Sequence, residues 1–146
     1  MRTEPQAMND ARLAHYDDLG KLVLRLALGL MILLHGIAKL VGGIGFVTGM
    51  LQKMGLPGAI GYLVYVGEVI APLLIVFGLW TRLAAFILAG NMIVAVLLAH
   101  TTQLFSLSDT GGWEMELQGM FFFAAVALVL LGAGRYSIGG RTGRWN

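Results

Sequence analysis

The chain has no cysteine, which excludes disulfides, thiolate nucleophiles, cysteine-ligated zinc and cysteine-held iron–sulfur clusters for this chain by itself. Charge is also scarce. Asp, Glu, Lys and Arg make up 12% of the residues, about half of the roughly 25% usual in a soluble domain. A hydrophobic share of 58% and a mean hydropathy of +0.79 point the same way, because too little polar surface is left to cover a soluble core. The net charge of +2 and pI near 9.2 would suit nucleic acid only if the basic residues formed a patch. They stand instead at the ends of apolar runs, so no nucleic-acid partner is expected. Low-complexity tracts, glycine-serine linkers and internal repeats are missing, which favours one domain. A cleavable signal peptide is not expected either, since the first apolar run is long, starts late and lacks an A-x-A site.

What the chain does have is four long apolar runs, at about Leu22–Val41, Ala59–Leu79, Leu83–Leu104 and Leu117–Ala133. Each approaches the roughly 20 helical residues that cross a hydrocarbon layer about 30 Å thick. Lipid cannot hydrogen-bond backbone amides, so such runs must be helical. The expected fold is an all-α transmembrane four-helix bundle. The polar stretch 1–20 reads as a tail or surface helix, with Asp17 or Asp18 capping the first span, and 139–146 as a basic tail. Between the first two runs, Phe46, Val47, Met50, Leu51 and Met54 recur at helical spacing. This predicts a short interfacial helix, ended by Gly55-Leu56-Pro57-Gly58. The tight Trp80-Thr81-Arg82 connection predicts antiparallel neighbours.

An even number of spans puts both termini on one side. Arg2, Arg12, Lys21, Arg25, Arg82, Arg135, Arg141 and Arg144 fall on that side, against Lys39 and Lys53 on the other. The positive-inside rule then predicts an inner-membrane protein with cytoplasmic termini, and Trp80, Trp113 and Tyr136 suit an aromatic belt.

Ionisable residues inside such helices cost about 2.5–3.5 kcal/mol each on the lenient insertion scale and mark candidate sites. Arg25, His35 and Lys39 share an arc of roughly 80° on the first helix at about 100° per residue. Glu68 lies near the middle of the second run, and His100, Glu114 and Glu116 lie near the same end of the third and fourth. All four helices can therefore contribute to one interior site. Glu68 needs a partner, Lys39 or a histidine, or must be protonated. Lys39 also suits a snorkelling role, Arg25 an anchor or ion pair, and both histidines hydrogen-bonded packing. Glu114 and Glu116 differ by about 200° on a helix, so only one is expected to point inward. Asn91 stands about 180° from His100 and reads as an interhelical hydrogen bond on another face. Pro72 removes the bond that would close onto residue 68 and predicts a kink there. An apolar, aromatic interior with a few convergent polar groups suits a lipid-soluble ligand.

Those same residues carry a resemblance. His35-Gly36 with Lys39, Gly55-Leu56-Pro57, Glu68 in VGEV, Gly78-Leu79-x-Thr81-Arg82 and Gly132-Ala133-Gly134-Arg135, in this order, resemble the DoxX family from about Leu22 to Ile138. Ala133 stands where that family often has proline, and Gly139 where it often has an acid. The resemblance implies a DoxX-like domain over 21–138, one glutamate opening the fourth helix (Glu114 or, by its spacing to Gly132, Glu116), and links to thiosulfate:quinone oxidoreduction and oxidative-stress complexes with soluble redox partners. The leading expectation is a quinone-interacting subunit of an oxidoreductase system. In it Glu68 and a histidine (His35 or His100) handle protons and Lys39 stabilises a reduced anion, while His100, Glu114, Glu116 and Arg25 are candidate cofactor contacts. The alternatives are a small transporter or scaffold for redox partners, and a haem held by His35 and His100. A homodimer is also considered, through Ala85-x-x-x-Ala89 and Ala95-x-x-x-Ala99.

Overall fold

A computed structural model describes residues 3–141, 143, 145 and 146. Arg2 and Arg144, counted above for topology, lie outside the described residues. The chain is helical: α1 (Glu4–Gly42), α2 (Gly45–Lys53), α3 (Ala71–Phe77), α4 (Thr81–Ala99) and α5 (Glu116–Leu131), with short 3₁₀ and π turns between them. A 3₁₀ turn at Gly58–Leu63 and a π turn at Val66–Ile70 run straight into α3, making one composite column. α1, Gly58–Phe77 and α4 are each long and apolar enough to cross a membrane, and α5 adds a shorter apolar helix of 16 residues. Only 28–33% of the most apolar window of each long column is buried inside the protein. Large apolar side chains on them, including Leu34, Phe86 and Leu97, are exposed and need an apolar solvent. The molecule is a membrane protein.

The columns close a ring: α1 packs on α3, α3 on α4, α4 on α5 and α5 on α1. Leu28 and Ile32 of α1, Ile75 of α3, Leu88 of α4 and Ala125 and Leu128 of α5 form its centre. Ala84, Ala85 and Ala89 are buried in that core. The Ala85/Ala89 pair expected on a dimer face is therefore consumed within the chain, where small residues let helices approach. Ala95 and Ala99 line an internal cleft.

The N-terminal segment is no separate tail. Helix α1 starts at Glu4, where the Thr3 amide donates to Gln6 Oε1 at 3.1 Å, and continues unbroken through Gly20, with Lys21 paired to Asp17 one turn back at 2.6 Å. Neither Asp17 nor Asp18 caps a helix, because the helix has already begun. The second run departs furthest from a regular helix. Pro72 has no N–H for the Glu68 carbonyl and its ring crowds that oxygen, so the ladder widens into a π turn there. The bared Glu68 carbonyl lies against Gly36 of α1, where a Cβ would collide with it. Proline on one column and glycine on the other thus fit together. Between α3 and α4 the turn takes left-handed backbone at Gly78 (φ 70°) and Trp80 (φ 44°).

Beyond α5 the chain folds back across the other end of the ring. Ile138 and Gly139 amides donate to the carbonyls of Phe77 and Gly78 at 3.1 and 3.0 Å. Thr81 Oγ1 donates to Asn146 Oδ1 at 3.1 Å, and the Arg82 amide to the Trp145 carbonyl at 2.9 Å, which satisfies donors that open α4. The segment expected as a basic tail is therefore a clasp. Buried Asp18 anchors it, accepting from the Arg135 amide at 3.0 Å and from the Arg141 guanidinium. The Arg141 hydrogen bond holds the Asp18 carboxyl below its usual range, against the opposing pull of burial.

Two stability tests follow from these contacts. Gly20 has nothing within 4 Å of a built Cβ, so Gly20→Ala should raise stability by about 0.5–1 kcal/mol, whereas Gly36→Ala should lower it by about 1–3 kcal/mol through overpacking. Thermal unfolding in detergent reads both. A depressed folded pKa stabilises above the unfolded value of 3.8 and loses that contribution as pH falls through the folded value. Asp18→Asn should therefore unfold more easily than the parent at pH 7, with the gap closing only as acidity passes below 3.8.

Candidate functional site

Glu68 sits on the π turn and is only 5% exposed. Its Oε2 is ion-paired with Lys39 Nζ of α1, and its Oε1 accepts from Asn91 Nδ2 of α4 at 3.4 Å. Three columns thus converge on one carboxylate. Lys39 is held over it from the last turn of α1, where Tyr65 Oη donates to the Lys39 carbonyl at 3.2 Å. Gly67 makes room for Asn91, whose side chain occupies the space a Cβ would take. Buried Glu68 loses hydration that only good geometry repays, so the pair with half-buried Lys39 is maintained by its surroundings rather than by Coulomb attraction alone.

The pair opens onto a cleft of about 610 Å³ lined mostly by apolar side chains, with His35, Lys39, Glu68, Asn91, His100 and Gln118 as its polar members. The apolar wall includes Ile32, Phe46, Met50, Leu98 and Phe121. Phe46, Val47, Met50 and Leu51 come from α2, the short helix expected between the first two runs, and it roofs the cleft. His35 Nδ1 lies 2.9 Å from the Met31 carbonyl, and its ring meets Phe121 edge-on with centroids 5.8 Å apart. His100 Nδ1 lies 2.6 Å from Gln103 Oε1, and Gln103 Nε2 donates to Glu114 Oε1 at 3.2 Å.

His35, Lys39, Glu68 and His100 therefore line one cleft. Asn91 joins them, contrary to the helical projection that set it opposite His100. The reason is local: α4 ends at Ala99, and His100 leaves helical geometry with φ −133°. Glu114 and Glu116 do not line this cleft, so neither is its inward acid. Both border a second groove of about 690 Å³ beside α1 and α5, with Leu24, Met31, Trp113 and Met120. Glu114 still touches the first site indirectly, through Gln103. Arg25 is 1% exposed and lies apart from the cleft. Its guanidinium donates to the carbonyls of Ala133 at 2.8 Å, Tyr136 at 2.9 Å and Val76 at 3.3 Å, gathering carbonyls just past α5 and in the last turn of α3. Among the described residues no cluster of three or more His, Asp or Glu side chains could hold a metal ion.

Sequence reasoning passed over Gln103, Tyr65 and Gln118 as site residues. Gln103 carried a signal, a polar side chain three residues beyond a histidine at the end of an apolar run. The other two carried none.

An intramembrane acid–base pair in an apolar, helix-lined cleft defines a polytopic membrane protein built around an interior polar site. A family model described as DoxX matches residues 20–101, more than half of the chain, and the protein belongs to the DoxX family. That match covers α1 from Gly20, the composite column and α4, the three columns that hold Glu68. The chain is also similar to a Bacillus subtilis (strain 168) protein named "Putative oxidoreductase CatD", with 31% identity over 80 residues, 55% of this chain and 59% of that protein. It therefore spans less than two thirds of that relative's length. No solved structure matches.

Removing one member of the pair should be worse than removing both. Lys39→Met leaves Glu68 buried beside an apolar chain and should cost about 3 kcal/mol. Adding Glu68→Gln should restore most of that loss. A double-mutant cycle on unfolding in detergent measures the coupling, and additive losses would show that the two side chains act independently.

Proposed function

We propose that the protein is a quinone-binding membrane subunit of an oxidoreductase system. The observation that carries this reading is the ion-paired Glu68 opening onto an apolar cleft of about 610 Å³, a size that accepts a substituted ring and part of an apolar tail. Aromatic and aliphatic walls suit the ring, and Lys39 and Asn91 can donate hydrogen bonds to its oxygens. Reducing a quinone takes two protons as well as two electrons. Glu68, His35 and His100 are the cleft groups able to move a proton, whereas the electrons must come from a partner redox protein. Family membership and the name of the Bacillus relative favour redox work over other uses of such a cleft.

The same reading places four spans in the cytoplasmic membrane, with α5 as the fourth. Lys21, Arg82, Arg135 and Arg141 gather at the clasped end, against Lys39 and Lys53 at the α2 end, and this excess favours a cytoplasmic clasp with both termini beside it. A second reading, a small transporter, draws on the broken column at Glu68, since discontinuous helices mark transporter sites.

Calorimetric titration of the purified protein with a decyl-tailed quinone tests the choice. Saturable binding that falls at least tenfold in Glu68→Gln and His35→Ala is expected. Unchanged affinity in both variants, or no binding by the parent, would remove the quinone reading.

A further inference from the structure

The hydrogen-bond polarity of the cleft can be read from its own network. The Glu114 carboxylate can only accept, so the end of the Gln103 amide facing it must be the NH₂. The other end is then Oε1, also an acceptor, and His100 Nδ1 beside it must carry the proton. His35 Nδ1 faces the Met31 carbonyl and must likewise be N–H. In each neutral ring the edge turned away from these bonds is Nε2, a lone pair. Both histidines line the cleft, and with Nδ1 tied to the protein the Nε2 lone pair is the acceptor each has left to offer a ligand.

Lys39 supplies the complement. Its ammonium has three N–H donors and the Glu68 pair uses one. A ligand oxygen that accepts from Lys39 and also donates to an imidazole satisfies both sides. A hydroxyl does this. A carbonyl oxygen meets the imidazole lone pairs with lone pairs of its own, leaving those acceptors unpaired beneath the bound ring.

We infer that the cleft selects a hydroxylated, reduced ring over its oxidised dicarbonyl form, and that Gln103 and Glu114 are positioning residues that set this preference by fixing the His100 tautomer. The inference rests on the cleft being a quinone-type site and adds which redox form it holds more tightly. Glu114 thereby gains a place in the site although it borders the other groove.

Calorimetry on the full chain in nanodiscs, under anaerobic conditions, compares three probes with one tail: decylhydroquinone, its dimethyl ether and decylbenzoquinone. The hydroquinone should bind about tenfold more tightly than either other probe, the cost of leaving one acceptor unpaired under the ligand. In Gln103→Leu that advantage should shrink while affinity for the ether stays the same, a split that loss of structure would not produce. Nitrogen-15 NMR of the parent should show Nδ1 protonated and Nε2 bare in both cleft histidines. Equal or tighter binding of the benzoquinone or the ether overturns the selectivity but leaves the ring site standing, as does an Nε2–H tautomer at His100. Failure of all three probes to bind overturns the site and the selectivity together.

Discussion

A carboxylate buried in a shell that faces lipid tolerates little error, and the placement of Glu68 organises much of this molecule. Its side chain needs a cation and a donor, and these come from separate helices, Lys39 of α1 and Asn91 of α4. Its carbonyl needs room, because Pro72 has taken away the usual donor, and Gly36 supplies it. Side chain and backbone of one residue thus fix the spacing of α1 and α4 about the composite column. Helix packing in lipid gains little from the hydrophobic effect, so close backbone approach and interhelical hydrogen bonds must hold the ring. The same contacts that hold the ring also set the polar floor of the cleft.

The opposite end is stabilised by different means. Arg25 is buried with no carboxylate paired to it among the described residues, and its charge is met by carbonyl dipoles past α5 and at the end of α3. Carbonyls that end a helix lack intrahelical donors and carry partial negative charge, so one guanidinium satisfies several at once. Asp18, Arg135 and Arg141 then close the returning segment over α1. One end of the bundle is closed and the other carries a cleft. That asymmetry sets the polar cleft toward the α2 end.

Some of this was legible in residue order. Membrane-length helices follow from apolar run length, because hydrocarbon thickness and helical rise are fixed. The short α2 follows from apolar spacing and the Gly55-Leu56-Pro57-Gly58 stop. Glu68 and Lys39 stand out as site candidates because a charge in an apolar run is costly. Asn91 makes the interhelical hydrogen bond expected of it, but on the same cleft as His100, since helical projection assumes a helix that had already ended at His100. Asp18 was misread as a cap because its partners, Arg135 and Arg141, are more than a hundred residues away in sequence.

Composition and periodicity, which are local properties, determined by themselves that this is a helical membrane protein with charges it must pair internally. Tertiary structure alone decided the pairing: that Glu68 meets Lys39 and Asn91, that Arg25 serves the backbone and not the cleft, and that Glu114 reaches His100 only through Gln103. Such choices depend on which helix faces meet and where each helix stops. Those are set by close approaches such as Gly36 on Glu68, which no single segment of the chain can specify.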